Sequence, residues 1–381
     1  MQSESLIKAV FLTRVIQVWR LPIFQRLEAS QVLDVQFWYG PDFEGTKVVS
    51  AKRFGNIRNV KLLSFRIKLN SRNGVIAMPF SPFLFFKLVI CKPDVVVSEG
   101  ASNLINALIG FVYCKIFKKK FVWWSLGKVV NRNYDLKRSF VDRLVVYLER
   151  NSDRILTYSS EGMKYFRSIG IEEDQIVVAV NVIDTDSKLL EIANRKVDER
   201  IYSLYKNCGF KILFVGAITK EKDIDKLLFA QKQLNRLGLN TTVIILGDGP
   251  FKKDLIKLSE DLNIINVDFI DGTFENSFDY FSMADLFVLP GLGGLAISEA
   301  MCFGLPVIAS IGDGCEVDLV TEENGIVDRN MTAEMLTSYI MKFYVDSDFL
   351  ISCGRNSSEK IRLKYNTSNY VNKLIQAISF N

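Results

Sequence analysis

The stretch that decides the fold reads Asp285-Leu-Phe-Val-Leu-Pro-Gly-Leu-Gly-Gly-Leu-Ala-Ile-Ser-Glu-Ala-Met-Cys-Phe-Gly-Leu-Pro-Val-Ile-Ala309. The apolar run Leu286–Leu289 leads into a glycine-rich turn, and helical spacing follows from about Ser298 until a second apolar run begins at Val307. Apolar runs without polar alternation are typical of parallel strands that are buried on both faces. The stretch therefore predicts a strand, a helix and a second strand of one parallel sheet.

Apolar runs of the same kind recur along the whole chain, with helical segments between them. In the first half the expected strands are Lys8–Leu12, Val32–Trp38, Val60–Ser64, Asp94–Ser98, Phe121–Ser125, Ile155–Tyr158 and Ile176–Val180. In the second half they are Lys211–Val215, Thr241–Leu246, Val267–Ile270, Leu286–Leu289, Val307–Ser310 and Gly325–Val327. Strands and helices that alternate in each half predict two doubly wound α/β domains of Rossmann type, which bind ligands beyond the carboxyl ends of their strands.

Turn-forming residues and a charged helical segment between Asn181 and Phe210 mark the join of the two domains. We expect an N-terminal domain over residues 1–185 and a C-terminal domain over residues 186–360. A last helix, over residues 361–381, is expected to pack back on the N-terminal domain. The two domains should face each other across a cleft, where two-domain proteins usually have their ligand site.

Composition restricts the chemistry that the chain can perform. Its 381 residues include no histidine, which excludes serine or cysteine nucleophiles with a histidine base and zinc sites that need imidazole. The six cysteines are scattered without a CxxC pair, so we expect reduced core residues in a cytoplasmic protein. The first residues lack the pattern of a signal peptide, and the apolar stretches 74–90 and 104–114 are interrupted or too short to span a membrane.

Charge is distributed unevenly along the chain. Residues 51–150 contain 19 basic and 5 acidic residues, a net charge of +14, whereas the whole chain has a net charge of +5. Such a local excess predicts an anionic partner for the N-terminal half. Candidates for an apolar and cationic face against an anionic membrane are Phe80, Phe83, Phe85, Phe86 and Lys118–Lys120. The alternative is a solvated basic surface above phenylalanines that belong to the core.

Three glycine turns at the ends of expected strands are candidates for phosphate binding. In the first, the turn after strand Lys211–Val215 starts at Gly216, and Lys220 and Lys222 precede a helix that begins near Asp223. Cations at a helix N-terminus oppose the helix dipole unless an anion lies there as well, as a diphosphate would. The alternative is two solvated lysines on a polar loop.

The other two turns follow their strands in the same way. Gly247-Asp-Gly-Pro250 comes after Thr241–Leu246, and Pro290–Gly294 offers backbone N–H groups before the helix expected from Ser298. Glu299, in the first turn of that helix, can accept hydrogen bonds from the paired hydroxyls of a ribose. Alternatively, Glu299 complements the helix dipole while Ser298 caps the helix, and the second turn is an ordinary connection.

Two other patterns carry less information. The pairs Asp184-Thr-Asp186 and Asp223-Ile-Asp225 have the spacing of a metal-binding motif, but turn and cap positions explain both. The GxGxxG fingerprint is absent, because Ala296 stands where the third glycine would fall. We therefore expect no metal and no dinucleotide cofactor.

Taken in order, these segments resemble the C-terminal domain of GT-B retaining glycosyltransferases of family 4, of the kind that assembles bacterial surface polysaccharides. The family pattern reads G-R-x-x-x-x-K-G-x-D-x-L-L, then G-x-G-P, then E-x7-E leading into E-A-M-x-x-G-x-P-V-I-A. The matching residues are Gly216, Lys222, Asp225, Gly247-Asp-Gly-Pro250, Glu299–Ala309, Glu316 and Asn324-Gly325, with Asn181-Val-Ile-Asp184 before the join. The resemblance covers residues 150–330 well and the N-terminal domain in outline.

Two positions depart from the family pattern. Ala217 replaces the arginine that follows the first glycine, so its phosphate contact is expected either to be lost or to be taken over by Lys220. Gly291 replaces the first glutamate of E-x7-E, which usually lies near the donor sugar, so backbone groups of Gly293–Leu295 are expected to recognise the sugar instead.

The resemblance implies a retaining glycosyltransferase that moves a sugar from a nucleotide diphosphate sugar to a lipid-linked or oligosaccharide acceptor in cell-surface polysaccharide synthesis, such as O-antigen or capsule. UDP is favoured as the donor nucleotide, with GDP as the other choice. The implied donor site is Gly216, Lys220, Lys222, Gly247, Asp248, Gly293, Gly294, Leu295 and Glu299, with Lys222 and Glu299 as the catalytic residues. Lys222 and the loop amides would stabilise the leaving phosphate, which itself helps to deprotonate the acceptor in a front-face displacement.

In the N-terminal domain, Thr13–Phe24 is similar to a Y-R-x-P-x-F segment of some polysaccharide-assembly enzymes. Arg20 is the cation expected nearest the cleft and the acceptor. The expected partners are the nucleotide sugar, an acceptor linked to a lipid diphosphate, and the anionic inner face of the cell membrane. Nucleic acid is not expected, because no recognition motif accompanies the basic charge.

Two other functions are compatible with the same fold. One is a non-catalytic scaffold or binding subunit, which the departures at Ala217 and Gly291 favour. The other is a sugar-nucleotide epimerase, which would act on the donor without an acceptor.

Overall fold

The computed structural model describes residues 6–42, 49–71, 74–127, 140–272 and 277–380, with side chains except at 68–71 and 74–77. The chain forms two α/β units. The first contains Met1–Val180 and Ser368–Asn381, and the second contains Asn181–Thr367. The chain thus enters the second unit at residue 181 rather than at 186, and returns to the first at residue 368 rather than at 361.

A parallel sheet of seven strands forms the centre of the first unit. Its strands are β1 (Ile7–Thr13), β2 (Leu33–Tyr39), β3 (Asn59–Lys61), β6 (Val95–Glu99), β7 (Lys120–Ser125), β8 (Arg154–Thr157) and β9 (Ile176–Val178). They lie in the order β3-β2-β1-β6-β7-β8-β9. The structure has a strand at each of the seven expected positions. All of them except β3, whose residues are half-buried or exposed, have mostly apolar side chains that are buried on both faces of the sheet.

Helices cover the first sheet, and the end of the chain joins them. The helices are α1 (Leu21–Glu28), α2 (Leu84–Cys91), α3 (Leu104–Ile116), α4 (Phe140–Asn151), α5 (Ser160–Ser168) and α15 (Thr367–Ile378). Just after α15, the ring of Phe380 lies 4.4 Å from the ammonium of Lys120 and 4.3 Å from the guanidinium of Arg154. These contacts attach the end of the chain to the first unit.

The sequence analysis missed an antiparallel hairpin, which consists of β4 (Phe65–Ser71) and β5 (Gly74–Phe80). The signal was present, because Phe65-Arg-Ile-Lys-Leu69 alternates apolar and polar residues with the period of a half-buried strand. The apolar stretch 74–90 divides into β5 and α2. In the described parts of the chain, none of the helices has both the length and the apolar character needed to cross a membrane.

A second parallel sheet, of six strands, forms the centre of the second unit. Its strands are β10 (Phe210–Val215), β11 (Thr241–Leu246), β12 (Val267–Ile270), β13 (Leu286–Leu289), β14 (Val307–Ser310) and β15 (Gly325–Asp328). The helices are α6 (Thr185–Asn194), α7 (Glu199–Tyr205), α8 (Ile224–Arg236), α9 (Lys252–Asp261), α10 (Phe278–Met283), α11 (Leu295–Cys302), α12 (Glu316–Leu319), α13 (Ala333–Val345) and α14 (Ser347–Leu363). The strand order is β12-β11-β10-β13-β14-β15.

The strand order locates the ligand-binding edge of each sheet. In the second unit the chain goes from β10 to β11 and β12 on one side, and returns to the other side of β10 at β13. The carboxyl ends of β10 and β13 are therefore the topological switch point, where open α/β sheets bind ligands. The same rule places the switch point of the first unit between β1 and β6.

Candidate active site

Two loops meet at the switch point of the second sheet. The loop after β10 contains a short 3-10 helix, Lys220–Lys222, before α8, and the loop after β13 is Pro290–Gly294. The backbone N–H of Leu292 donates to the carbonyl of Glu221 at 2.8 Å. In the opposite direction, the ammonium of Lys222 donates to the carbonyl of Leu292. Two hydrogen bonds therefore join the loops.

Lys222 is half-buried at this junction. Burial lowers the pKa of its ammonium group, and the carboxylates of Asp313 and Glu316 oppose that effect. Within the described residues, its hydrogen-bond partner is a backbone carbonyl and it forms no ion pair. A partly desolvated cation without a direct counter-ion is suited to binding an anion.

Glycines allow the two loops to touch. A Cβ atom on Gly291 would overlap the backbone carbonyls of Glu221 and Lys222, and one on Gly293 would overlap the Lys222 ammonium. Gly293 also has a φ of +134°, which disfavours any other residue. Gly291 therefore has no room for the glutamate that the family pattern places there.

The turn after β11 belongs to the same cluster. Cβ atoms on Gly247 and Gly249 would overlap the carbonyl oxygens of Gly216 and Ile218, respectively. The N–H of Ile218 donates to the carbonyl of Asp248 at 3.0 Å, so the turns after β10 and β11 are hydrogen-bonded to each other. The three glycine turns predicted from the sequence are thus brought together.

Lys220 lies at the outer side of this cluster. Its side chain is exposed, and its ammonium is 5.8 Å from the centre of the Phe251 ring. The phosphate contact expected of Lys220 stays a prediction.

Helix α11 begins at Leu295, three residues earlier than expected, and its N-cap is Gly294 without a side-chain cap. The suggestion that Ser298 caps this helix is wrong, because its hydroxyl donates to the carbonyl of Leu295 at 2.8 Å and accepts from the N–H of Ile183 at 3.1 Å. Glu299 therefore lies in the second turn of α11 rather than in the first. This start could not be predicted from a capping residue, since glycine has no side chain that could cap the helix.

The Glu299 side chain is completely buried. Its Oε1 atom accepts a hydrogen bond from the hydroxyl of Ser277 at 2.9 Å and lies 3.2 Å from the ammonium of Lys188. Burial raises the pKa of Glu299, and the positive charge of Lys188 counteracts that shift. The predicted contact with a ribose stays a prediction.

An acidic loop after β14 completes the site. Glu316 is completely buried, and its carboxylate accepts hydrogen bonds from the N–H groups of Asp313 at 3.1 Å and Gly314 at 2.7 Å. Burial raises the pKa of Glu316 to about 7 and also raises the pKa of Asp313, which the charge of Lys222 opposes. The sequence analysis matched Glu316 to the family pattern but did not assign either carboxylate to the site. The fact that this loop also follows a buried strand could have indicated it.

Glu316→Gln should weaken the pH dependence of stability in the second unit. Because Glu316 has a pKa of about 7 when folded and about 4.3 when unfolded, the free energy of unfolding should fall as the pH rises through this range. The expected loss is about 3 kcal/mol. Urea denaturation at pH values of about 5 and about 8 measures it.

The matched control is Glu322→Gln, which changes an exposed carboxylate of the same unit. It should lose as much stability as the native protein over this pH range, and Glu316→Gln should lose less. Equal losses in all three proteins would contradict the assignment.

Arg20 lies at the carboxyl edge of the first sheet and is mostly buried. Its guanidinium pairs with Glu99, the last residue of β6, and donates to the hydroxyl of Tyr158 at 3.0 Å. It also lies 4.6 Å from the centre of the Trp124 ring. Glu99 thus neutralises the charge of Arg20, and its expected contact with an acceptor stays a prediction.

The two acidic pairs occupy turn and cap positions. Asp184 is the N-cap of α6 and accepts from the N–H of Ser187, and Asp223 precedes α8 with a φ of +49° and pairs with Lys226. The described residues contain no group of three acidic or sulfur side chains that could hold a metal ion.

Comparison with known sequences identifies this unit. Residues 200–360 match the profile of the family described as Glycosyl transferases group 1. The second unit is a group 1 glycosyltransferase domain. The glycine turns, Lys222 and Glu299 all belong to this glycosyltransferase domain.

Similar sequences carry glycosyltransferase names. The uncharacterized glycosyltransferase MJ1059 of Methanocaldococcus jannaschii is 25% identical over 234 residues, which are 58% of this chain and 56% of that protein. The putative colanic acid biosynthesis glycosyltransferase WcaL of Salmonella typhimurium is 25% identical over 232 residues, 58% of this chain and 54% of that protein. The chain thus spans about half the length of these relatives.

Solved structures share the whole fold. The Anabaena protein HepE, determined in complex with UDP, is 16% identical and superimposes with a TM-score of 0.73 over 98% of this chain and 99% of its own. WaaG, a glycosyltransferase involved in lipopolysaccharide biosynthesis, is 16% identical with a TM-score of 0.66 over 98% and 100%. The expected GT-B fold, with two Rossmann-like units, is confirmed.

Proposed function

We propose that the protein transfers a sugar from a nucleotide diphosphate sugar to a glycan acceptor. The observation that carries the proposal is Lys222, a half-buried cation at the switch point of the glycosyltransferase domain that forms no ion pair with any of the residues that the structure describes. A bound diphosphate would supply the missing negative charge, and the glycine turns around it offer backbone N–H groups.

Names of similar proteins support the choice of substrates. HepE was solved with UDP, which favours UDP as the donor nucleotide. A GDP-mannose-dependent phosphatidylinositol monomannoside mannosyltransferase of Mycobacterium tuberculosis is 22% identical over 175 residues, which keeps GDP as the other choice. WcaL and the capsular polysaccharide enzyme CapM of Staphylococcus aureus support an acceptor in surface-polysaccharide synthesis, such as O-antigen or capsule. We propose an acceptor linked to a lipid diphosphate.

The proposed reaction retains the anomeric configuration. The acceptor hydroxyl attacks C1 of the sugar from the face that the diphosphate leaves, the bond from C1 to the diphosphate oxygen breaks, and the hydroxyl proton passes to that oxygen. This route needs no protein base, which suits a chain without histidine. Of the two buried glutamates of the site, Glu316 accepts hydrogen bonds at both carboxylate oxygens and Glu299 accepts one at Oε1. Lys222 and the loop amides would stabilise the charge on the leaving diphosphate, and no metal ion is part of the proposal.

A thermal-shift panel of UDP-, GDP- and ADP-sugars tests the donor. A ligand at 100 times its Kd adds about 2.7 kcal/mol to the free energy of unfolding, and we expect UDP-sugars to raise the melting temperature most. Transfer is then assayed with lipid-diphosphate saccharides, and NMR of the product gives the anomeric configuration.

The same assays separate the alternatives. Nucleotide binding without turnover would indicate a scaffold, and conversion of the donor sugar without an acceptor would indicate an epimerase. No stabilisation by any of the three nucleotides would contradict the proposed function.

One face of the first unit suits the membrane contact that a lipid-linked acceptor requires. Helix α2 is apolar apart from Lys87, with Leu84 and Leu88 buried, Phe86 and Ile90 exposed, and its N-cap Phe83 exposed as well. Large apolar side chains that are exposed together normally mark a surface that a partner or a membrane covers. The view that these phenylalanines belong to the core is therefore wrong for Phe83 and Phe86.

Neighbouring side chains extend this surface. Phe85 is half-buried, and its ring lies 6.3 Å from that of Phe86 and 6.4 Å from that of Phe117 at the end of α3. We define the apolar face as the exposed side chains Phe83, Phe86, Ile90, Ile116 and Phe117. Of the phenylalanines that the sequence analysis proposed for a membrane face, Phe83 and Phe86 belong to it.

Lysines are neighbours of the apolar face along the chain. Lys87, Lys92 and Lys118 are exposed and form no ion pair within the described parts of the chain. Residues 50–93 contain no aspartate or glutamate. Apolar side chains with lysines as neighbours match an anionic lipid surface, and we propose that this face contacts the inner face of the cell membrane from the cytoplasm.

Flotation with vesicles tests the contact. The full chain should float with phosphatidylglycerol vesicles at low salt and not with phosphatidylcholine vesicles, and the double substitution Phe86→Ser and Ile90→Ser should abolish flotation. Leu363→Ser, which changes an exposed apolar side chain of the second unit, should have no effect. No binding to anionic vesicles, or a dimer in solution that the double substitution dissociates, would contradict the membrane assignment.

A further inference from the structure

The two oxygens of the Glu299 carboxylate have different surroundings. Oε1 is 2.9 Å from the donating hydroxyl of Ser277 and 3.2 Å from the ammonium of Lys188. Oε2 is buried and has no hydrogen-bond partner in the described parts of the chain. Buried polar atoms without partners are rare in proteins, because leaving a charged acceptor without a donor costs free energy. Oε2 is therefore the atom of this carboxylate that can accept a donor from a ligand.

Lys188 is itself held in place by a series of ion pairs. Its side chain is 12% exposed, and its ammonium lies 2.7 Å from Glu191 on the same helix. Glu191 pairs with Arg195 at 2.7 Å, and Arg195 pairs with Asp279 of α10 at 3.0 Å. The series connects α6 to α10, so Lys188 cannot turn away from Glu299 without breaking two ion pairs.

We infer that Lys188 is a positioning residue for nucleotide recognition: together with Ser277 it occupies Oε1 of Glu299 and leaves Oε2 to accept a hydrogen bond from a ribose hydroxyl. The inference rests on the proposed function, and adds a residue of α6 that no motif in the sequence marks. The positive charge of Lys188 also opposes the effect of burial, which raises the pKa of Glu299. A glutamate that stays ionised is the stronger acceptor.

The test compares UDP with 2′-deoxy-UDP and 3′-deoxy-UDP in binding titrations. Native protein should bind at least one deoxy nucleotide about 10-fold or more weakly than UDP, because a hydrogen bond to a charged acceptor is lost. Lys188→Met should bind UDP more weakly and should lose this preference for the hydroxyl, whereas Lys188→Arg should keep part of it. In transfer assays the effect should be on the KM of the donor more than on kcat.

Lys211→Met is the matched control. Lys211 pairs with Asp285 at 2.8 Å, and its side chain is 14% exposed, but it lies at the amino end of β10, away from the switch point. This variant should keep the full preference for the hydroxyl. If Lys188→Met does not fold, the test uses Lys188→Gln and Ser277→Ala instead. Glutamine at position 188 retains a hydrogen-bond donor to Oε1 without the charge.

Failure of this inference can be distinguished from failure of the proposed function. If the native protein binds UDP and both deoxy nucleotides equally, or if the Lys188 variants keep the native preference, the inference is overturned and Lys188 is only structural. If none of the UDP, GDP and ADP nucleotides binds the native protein, the proposed function itself fails.

Discussion

The Lys222→Met variant should transfer sugar about 100- to 1,000-fold more slowly than the native protein, with nearly the same melting temperature. Lys222 is the one candidate catalytic side chain that bridges the loops after β10 and β13, through its bond to the carbonyl of Leu292. It would stabilise negative charge that appears only as the diphosphate leaves, so its loss should lower kcat. Methionine has a similar shape and no charge to desolvate, so the folded state should tolerate it.

A neighbouring lysine provides the control for this prediction. Lys226 lies on α8, and its side chain is 31% exposed. Its ammonium lies 2.7 Å from the carboxylate of Asp223. Lys226→Met should leave both kcat and the melting temperature unchanged, since surface ion pairs contribute little. Lys222→Arg should not restore activity, because the ammonium of Lys222 already fills the space beside Gly293. Native transfer rates in Lys222→Met would remove Lys222 from the catalytic site.

The second sheet could be predicted from sequence almost residue by residue. The bounds of β11, β12, β13 and β14 are the expected ones, and β11, β13 and β14 are fully buried strands that end at a turn. A strand that is buried on both faces has no polar alternation, so a run of consecutive apolar residues is enough to predict it. The same pattern predicts the glycine turns at the ends of the strands. It also predicts the edge of the sheet at which these turns meet.

The contacts that define the site could not be predicted in the same way. Lys188 on α6 and Ser277, the residue before α10, both contact Glu299, and neither belongs to a recognisable motif. The start of α11 was placed three residues late because its N-cap is Gly294, which gives no capping signal. Local patterns report on local structure, whereas a buried ion pair depends on how distant segments pack.

The glycines of the site also show the difference between what local sequence predicts and what depends on the packing of distant segments. Their backbone N–H groups were expected to bind the donor, and that role stays a prediction. What the structure adds is a steric reason for Gly291, because the backbone of Glu221 and Lys222 lies where its side chain would be. The departure from the family pattern at this position is thus matched by the loop that packs against it, and does not by itself indicate an inactive scaffold.

Gly291→Ala should cost about 1–3 kcal/mol of the free energy of unfolding and should weaken UDP binding by more than 10-fold. The added Cβ would overlap two backbone groups, which cannot rotate away as a side chain could. The loops would have to separate, which breaks the bond between the N–H of Leu292 and the carbonyl of Glu221 as well as the contact of Lys222 with Leu292. Denaturation curves and titration with UDP measure the two effects.

Gly238→Ala separates the steric effect on the site from general destabilisation. Gly238 has a φ of +72° and open space around it, so alanine there is strained without a clash, at a cost of about 1–2 kcal/mol. It should lose stability but bind UDP normally. Gly291→Glu, which restores the residue of the family pattern, should bind UDP no better than Gly291→Ala, because the whole side chain must start from the same overlapping Cβ. Tighter UDP binding or faster transfer by Gly291→Glu would show that the loops can open, and that the missing glutamate rather than the packing of Lys222 limits this site.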